Sequence, residues 1–188
     1  MNTAILLGAV RQGRQSHRAA YYLEKRLKQQ RVNIDLIDLA KHPLPVFGSP
    51  ESDGSSTRKT VADIGMRLEQ ADAFILVTPE YHGSFSGALK NTLDYYWSEF
   101  RKKPVGVVAA SSGRMAGINA ATQLQHVILS LGAFPLPSKF LISNINHAFN
   151  DLYEPQLEQI DTRASKFLNE FLWFAGALYQ KKRGEKVA

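Results

Sequence analysis

The 188 residues are 44% hydrophobic, enough for one compact domain to bury its own core without metal or disulfide support. The absence of cysteine excludes thiol nucleophiles, disulfides, Cys-ligated zinc and iron–sulfur clusters. The formal charge is +6, and between Arg11 and Arg31 seven basic residues face one acid, Glu24; nucleic acid, a phosphorylated cofactor and plain solvation all remain open for that excess.

The opening stretch, MNTAILLGAVRQGR, has a short apolar run with its positive charge behind it, the wrong order for a signal peptide. No run approaches the roughly 20 apolar residues of a spanning helix, so the expectation is a cytoplasmic protein without a membrane partner. Ala4 to Val10 reads as a nearly continuous apolar strand, and Ala19, Ala20, Leu23 and Leu27 then repeat at helical spacing. A second strand is expected over Ile34 to Leu39. Residues 43–58, rich in proline, glycine and serine, read as a long loop, either functional or a plain connector. A helix over Thr57 to Gln70, a buried strand over Ala73 to Thr78 and a helix carrying Leu89, Leu93, Tyr96 and Phe100 come next. Val105 to Ala110 is a fourth strand, and Ile118, Ala121, Leu124, Ile128 and Leu131 mark a helix ended by Gly132. A fifth strand is placed around Phe140 to Ile142. In the last helix Ala164, Phe167, Leu168, Phe171, Leu172, Ala175 and Leu178 share so broad an apolar face that a subunit contact is expected there.

Five alternations of strand and helix define an α/β class with a doubly wound, five-stranded parallel sheet and helices on both faces. Ligands of such sheets bind beyond the carboxyl ends of the strands, so three loops matter most. In GAVRQGRQSHR, Gly8 and Gly13 allow tight backbone, Ser16 can cap the helix, and Arg11 and Arg14 suit phosphate oxygens. Its GxxxxG spacing is not a Walker A loop, because Arg14 and Gln15 stand where Lys and Ser or Thr are needed. After the third strand, Pro79, Glu80, Tyr81, His82 and Gly83 offer a flat ring face, polar edges and close backbone approach, as a planar heteroaromatic ring would require. After the fourth, Ser111, Ser112 and Gly113 present hydroxyls and amides to carbonyl oxygens or an anion.

These residues resemble the NADPH-dependent FMN reductase family, whose signature is a GSxR…S loop, a PEYN turn and a GxLKNxxD helix start. Here they stand as Gly8-Ala9-Val10-Arg11 with Ser16, as Pro79-Glu80-Tyr81-His82, and as Gly87 through Asp94. Ala9 and His82 depart from the family's serine and asparagine. The resemblance implies one flavodoxin-like FMN-binding domain over residues 1–188, with about 180–188 as a basic tail. It implies FMN phosphate at Arg11, Arg14, Ser16 and His17, ring contacts at Pro79, Glu80, Tyr81 and His82, and flavin-edge contacts at Ser111, Ser112 and Gly113. It makes Lys90, Asn91 and Asp94 structural. The implied activity is hydride transfer from NADPH or NADH to quinones, flavins, azo compounds or a similar small-molecule electron acceptor, in ping-pong order, by a homodimer or homotetramer.

No catalytic side chain and no metal is expected; His42, His126 and His147 lack ligand spacing. Three rivals stand beside this reading. An FMN electron carrier of flavodoxin type conflicts with the basic pI of about 9.5. A flavin-free nucleotide-processing enzyme lacks an acid pair, and a nucleic-acid-binding module would rest on the basic first helix alone.

Overall fold

The computed structural model describes residues 1–185. Strands β1 (Asn2–Leu7), β2 (Asn33–Asp38), β3 (Ala73–Tyr81), β5 (Pro104–Ala110) and β6 (Phe134–Ile142) form a parallel sheet in the order β2-β1-β3-β5-β6. A two-residue strand, β4 (Ser84–Phe85), pairs antiparallel with the end of β3 and is the one addition to the five expected strands. Helices α1 (His17–Gln29), α2 (Ser55–Gln70), α3 (Gly87–Tyr95), α4 (Ile118–Ser130) and α5 (Glu158–Glu185) make the connections.

Strand alternation divides the core between two layers. Ile5, Leu7, Ile75, Val77 and Val108 point toward α1 and α5, where Leu23, Leu27, Phe167, Leu168 and Phe171 cover them. Ala4, Leu6, Phe74, Leu76, Val105 and Val107 point toward α2, α3 and α4, which supply Ile64, Leu68, Leu89, Leu93, Leu124 and Ile128. A strand buried on both faces must be apolar at every position, which is why β1, β3 and β5 show no alternation in sequence.

Several boundaries differ from expectation, each for a local reason. β1 stops at Leu7, and the Gly8 amide makes the last bond of its ladder with β3, to the Val77 carbonyl at 2.8 Å. The third helix ends at Tyr95, and Phe100 reaches the core from a separate 3₁₀ turn, Ser98–Phe100. α5 extends to Glu185, so the expected basic tail is helical that far, and residues 186–188 lie outside the described residues. Much of the apolar face of α5 packs within the chain: Ala164, Phe167, Leu168, Phe171 and Ala175 are buried against the sheet, while Leu172 and Leu178 are half-buried and Trp173 is 76% exposed. No helix among the described residues is long and apolar enough to cross a membrane.

The loop after β2 is pinned by α3. Asn91 donates to the Pro45 carbonyl at 2.8 Å and accepts from the Phe47 amide at 2.9 Å, and the Tyr95 hydroxyl donates to the same Pro45 oxygen at 3.0 Å. Lys90 pairs with Asp94 at 2.7 Å along the helix surface. Asn91 thus ties the loop to the helix, and Lys90 and Asp94 pair along it.

Candidate active site

The first loop rests directly on the start of α3. A Cβ on Gly8 would lie 2.8 Å from Leu89 Cβ and 3.0 Å from Ser86 Oγ, so only glycine fits there. Ser86 caps α3 by accepting from the Leu89 amide at 3.2 Å and donates its hydroxyl to the Gly8 carbonyl at 2.6 Å. The exits of β1 and β3 are thereby stitched together. Ser16 occupies the N-cap position of α1 but has helical backbone angles and makes no side-chain cap bond, contrary to its expected capping role. Its hydroxyl is left for another acceptor or donor, beside first-turn amides that carry the positive end of the helix dipole.

Arg14 has a different partner from the one expected. Its guanidinium grips Asp38 at the end of β2 with both nitrogens, at 2.5 and 2.6 Å, and also donates to the Ala9 carbonyl. Burial of Asp38, which is 2% exposed, opposes its ionisation, but the Arg14 hydrogen bonds, the Ala40 amide and nearby positive charge outweigh that and hold the carboxyl below its ordinary range. The same hydrogen bonds raise Arg14 above the ordinary guanidinium value against its own burial. Arg14 therefore shapes the loop, whereas the Arg11 guanidinium has no hydrogen-bond or ion-pair partner among the described residues.

The turn after β3 is a hairpin. Tyr81 pairs with Ser84 and Glu80 with Phe85, leaving His82 (φ 50°) and Gly83 (φ 75°) as the two central residues. Positive φ at both positions is the requirement of a type I′ turn, which Asn-Gly meets best. Glu80 accepts from the Ala120 amide at 3.1 Å, anchoring the hairpin to the first turn of α4. Gln123 on α4 completes the attachment, donating to the Gly83 carbonyl and accepting from the Ser84 hydroxyl, each at 2.8 Å.

The loops after β5 and β6 are likewise joined. The Ser111 amide donates to the Ile142 carbonyl at 2.9 Å and the Ile145 amide to the Ser111 carbonyl at 3.1 Å. The result is a cleft of about 240 Å³ at the carboxyl ends of the strands. It is lined by Arg11, Arg14 and Ser16 from the first loop, Pro79, Glu80 and Tyr81 from the second, and Ser111 and Ser112 from the third. Gln15, Ala110, Ile145 and Asn146 complete the lining.

Three of the expected residues stand apart. His17 packs edge-on against Tyr21 and Tyr153, with ring centroids 6.0 Å away in both cases; burial, then the Arg14 charge, lower its pKa. His82 sits at the hairpin tip, outside the lining. Gly113 donates its amide to Ser111 Oγ at 3.1 Å and orients that hydroxyl from behind. Conversely, Ile145 and Asn146 were not anticipated. The polar run Ser143-Asn144 closing β6 was their signal, since the carboxyl-end rule applies to that strand as well.

The donor set fits FMN. Arg11, the Ser16 hydroxyl and the α1 first turn suit a phosphate dianion. Gln15 Oε1 is buried without a partner, as an acceptor awaiting a hydroxylated chain would be. Tyr81 and Pro79 supply apolar and aromatic surface to the same lining, and Ser111 and Ser112 supply donors.

A parallel sheet in this order, with a basic loop after its first strand and an aromatic turn after its third, defines a flavodoxin-like fold. Residues 1–147 match the family described as NADPH-dependent FMN reductase, and the chain belongs to that family. It is an FMN-dependent oxidoreductase with NAD(P)H as electron donor, rather than a carrier or a flavin-free enzyme. An FMN-dependent NADPH-azoreductase of Staphylococcus saprophyticus is 27% identical over 180 residues, spanning 93% of this chain and 95% of its own. An NADPH azoreductase of Bacillus sp. (strain OY1-2) is 35% identical over 121 residues, covering 64% of this chain and 67% of that protein. Among solved structures, the flavoenzyme NAD(P)H:(acceptor) oxidoreductase FerB from Paracoccus denitrificans superposes with a TM-score of 0.79 at 20% identity, covering 94% of this chain and 97% of its own. That likeness speaks to the fold.

Proposed function

We propose that the cleft binds FMN through Arg11, Ser16 and the α1 amides at its phosphate and through Pro79, Tyr81, Ser111 and Ser112 at its ring, and that the protein reduces azo compounds, quinones or related small acceptors in ping-pong order. The observation that carries this reading is the convergence of three separate loops on one cleft with Arg11 and the Ser16 hydroxyl uncommitted. When bound, FMN supplies the hydride relay between NAD(P)H and acceptor.

The residues of the chain bind and orient. Arg14, held by Asp38, fixes the loop that carries Arg11. Glu80 is occupied by the Ala120 amide, so it serves position rather than proton transfer. Amides and hydroxyls of the Ser111–Ser112 turn stabilise negative charge arising at the edge of a reduced ring. The azoreductase relatives support the acceptor class. The reading also takes the protein to be a cytoplasmic homodimer or homotetramer, supported by exposed apolar groups at Val46, Phe47, Trp97 and Trp173.

The test is an anaerobic absorbance titration of FMN-reconstituted, desalted protein with NADPH. Retained flavin that bleaches, and whose colour returns when an azo dye is added, is the expected result. Loss of all flavin on desalting refutes the cleft assignment. Double-reciprocal plots with donor and acceptor varied should be parallel; intersecting lines would replace the ping-pong order.

A further inference from the structure

A second pocket, of about 290 Å³, opens between β6 and α5, and Ser138, Lys139, Leu141, Arg163, Lys166 and Phe167 line it. None of these residues lines the cofactor cleft. A break in the ladder adjoins the pocket. Val105 pairs with Pro135 and Val107 with Lys139, so three residues of β6, Leu136 to Ser138, stand opposite the single Gly106 of β5. Such a bulge re-aims the side chains that follow it. Gln125 of α4 secures it by donating to the Leu136 carbonyl at 2.8 Å.

The chemistry of the lining is one-sided. Lys139, Arg163 and Lys166 bring three positive charges, and among the described residues none has a hydrogen-bond or ion-pair partner. Acids nearby in sequence leave them unneutralised. Asp161 is taken by Arg26 and Tyr22, and Glu170, one turn beyond Lys166, forms no ion pair with it. Ser138 Oγ is buried with no partner at all, a state that a ligand oxygen would relieve. Lysine on an edge strand can serve simply to deter pairing, but that role accounts neither for a cavity nor for an unsatisfied hydroxyl inside it. Leu141 and Phe167 add an apolar floor.

We propose that this pocket is a binding site for a small organic phosphate, its dianion held by Lys139, Arg163, Lys166 and Ser138 Oγ and its carbon skeleton lying on Leu141 and Phe167. Two sources share that chemistry: the 2′-phosphate end of NADPH, and a separate phosphorylated effector. The test is calorimetry on FMN-loaded protein with adenosine 2′,5′-bisphosphate and, as the uncharged probe, adenosine. The bisphosphate should bind, adenosine should not, and Arg163→Gln with Lys166→Gln should weaken the bisphosphate by about tenfold or more while FMN is retained. Both substitutions are at exposed positions, and Lys139→Gln provides an independent variant on the strand side. Competition between the bisphosphate and NADPH identifies the donor as the source, and binding without competition identifies an effector. No binding to the wild type, or binding that the double variant leaves unchanged, overturns the proposal. Flavin retention on desalting involves none of these residues, so the cofactor reading stands or falls separately.

Discussion

His82 illustrates how a residue read for its side chain also answers to its backbone. A histidine in a PEYH turn suggests an edge contact, yet its φ of 50° at the hairpin tip makes backbone conformation its principal demand. Asparagine tolerates that region far better than histidine, so the family's asparagine there has a turn-forming reason. His82→Asn should raise stability by about 0.5–1 kcal/mol, read from the urea midpoint, with flavin retention unchanged. Gly8 is the opposite case, read for flexibility when its requirement is proximity. Gly8→Ala should cost about 1–3 kcal/mol, because Leu89 Cβ lies 2.8 Å from the added carbon and the α3 backbone must shift to relieve it.

At the scale of elements, strands and helices were largely readable because burial on two faces imposes a continuous apolar signal. Partnerships between loops carry no such signature. Arg14 looked like a phosphate ligand since the residue type suits one; that Asp38 sits within its reach follows only from the β1–β2 register, where Leu7 pairs with Asp38. Arg14→Ala should destabilise by about 3 kcal/mol by leaving a buried carboxylate unpaired. The pH response should follow. The folded-state pKa of Asp38 is below the ordinary 3.8, so its contribution is present above that pH and is lost as pH falls toward the lower value. Urea midpoints measured between pH 5 and pH 2 should show that loss in the wild type and lose much of it in Arg14→Ala.

Across the whole molecule, ligand chemistry gathers at one end of the sheet and a buried lysine closes the other. Lys103, 6% exposed at the entry to β5, donates to the Leu68 and Glu69 carbonyls at 3.0 Å each and satisfies the C-terminus of α2. Burial, reinforced by Lys182, lowers its pKa to about 8 from an ordinary 10.5. Between those values the unfolded chain holds the proton and the folded chain does not, so this term increases stability as pH rises. The urea midpoint should therefore climb from pH 8 toward pH 10, and Lys103→Met should flatten the climb; above pH 10 the raised pKa values of Tyr22 and Tyr96 oppose it. The two flanks of the cleft also differ in their fastenings. On one, Arg18 ties α1 to the Phe149 carbonyl and to Asp151, whose side chain is 93% exposed. On the other, Gln123 joins α4 to Gly83 and Ser84 of the hairpin through uncharged groups, and the Glu80 carboxylate meets only a backbone amide, that of Ala120, with no opposite charge. Salt screens the first kind of bond and leaves the second almost untouched. Rising ionic strength should thus loosen mainly the α1 side, hastening amide exchange over residues 149–154 while residues 80–86 keep their pace, so that two walls of one cleft answer differently to the same electrolyte.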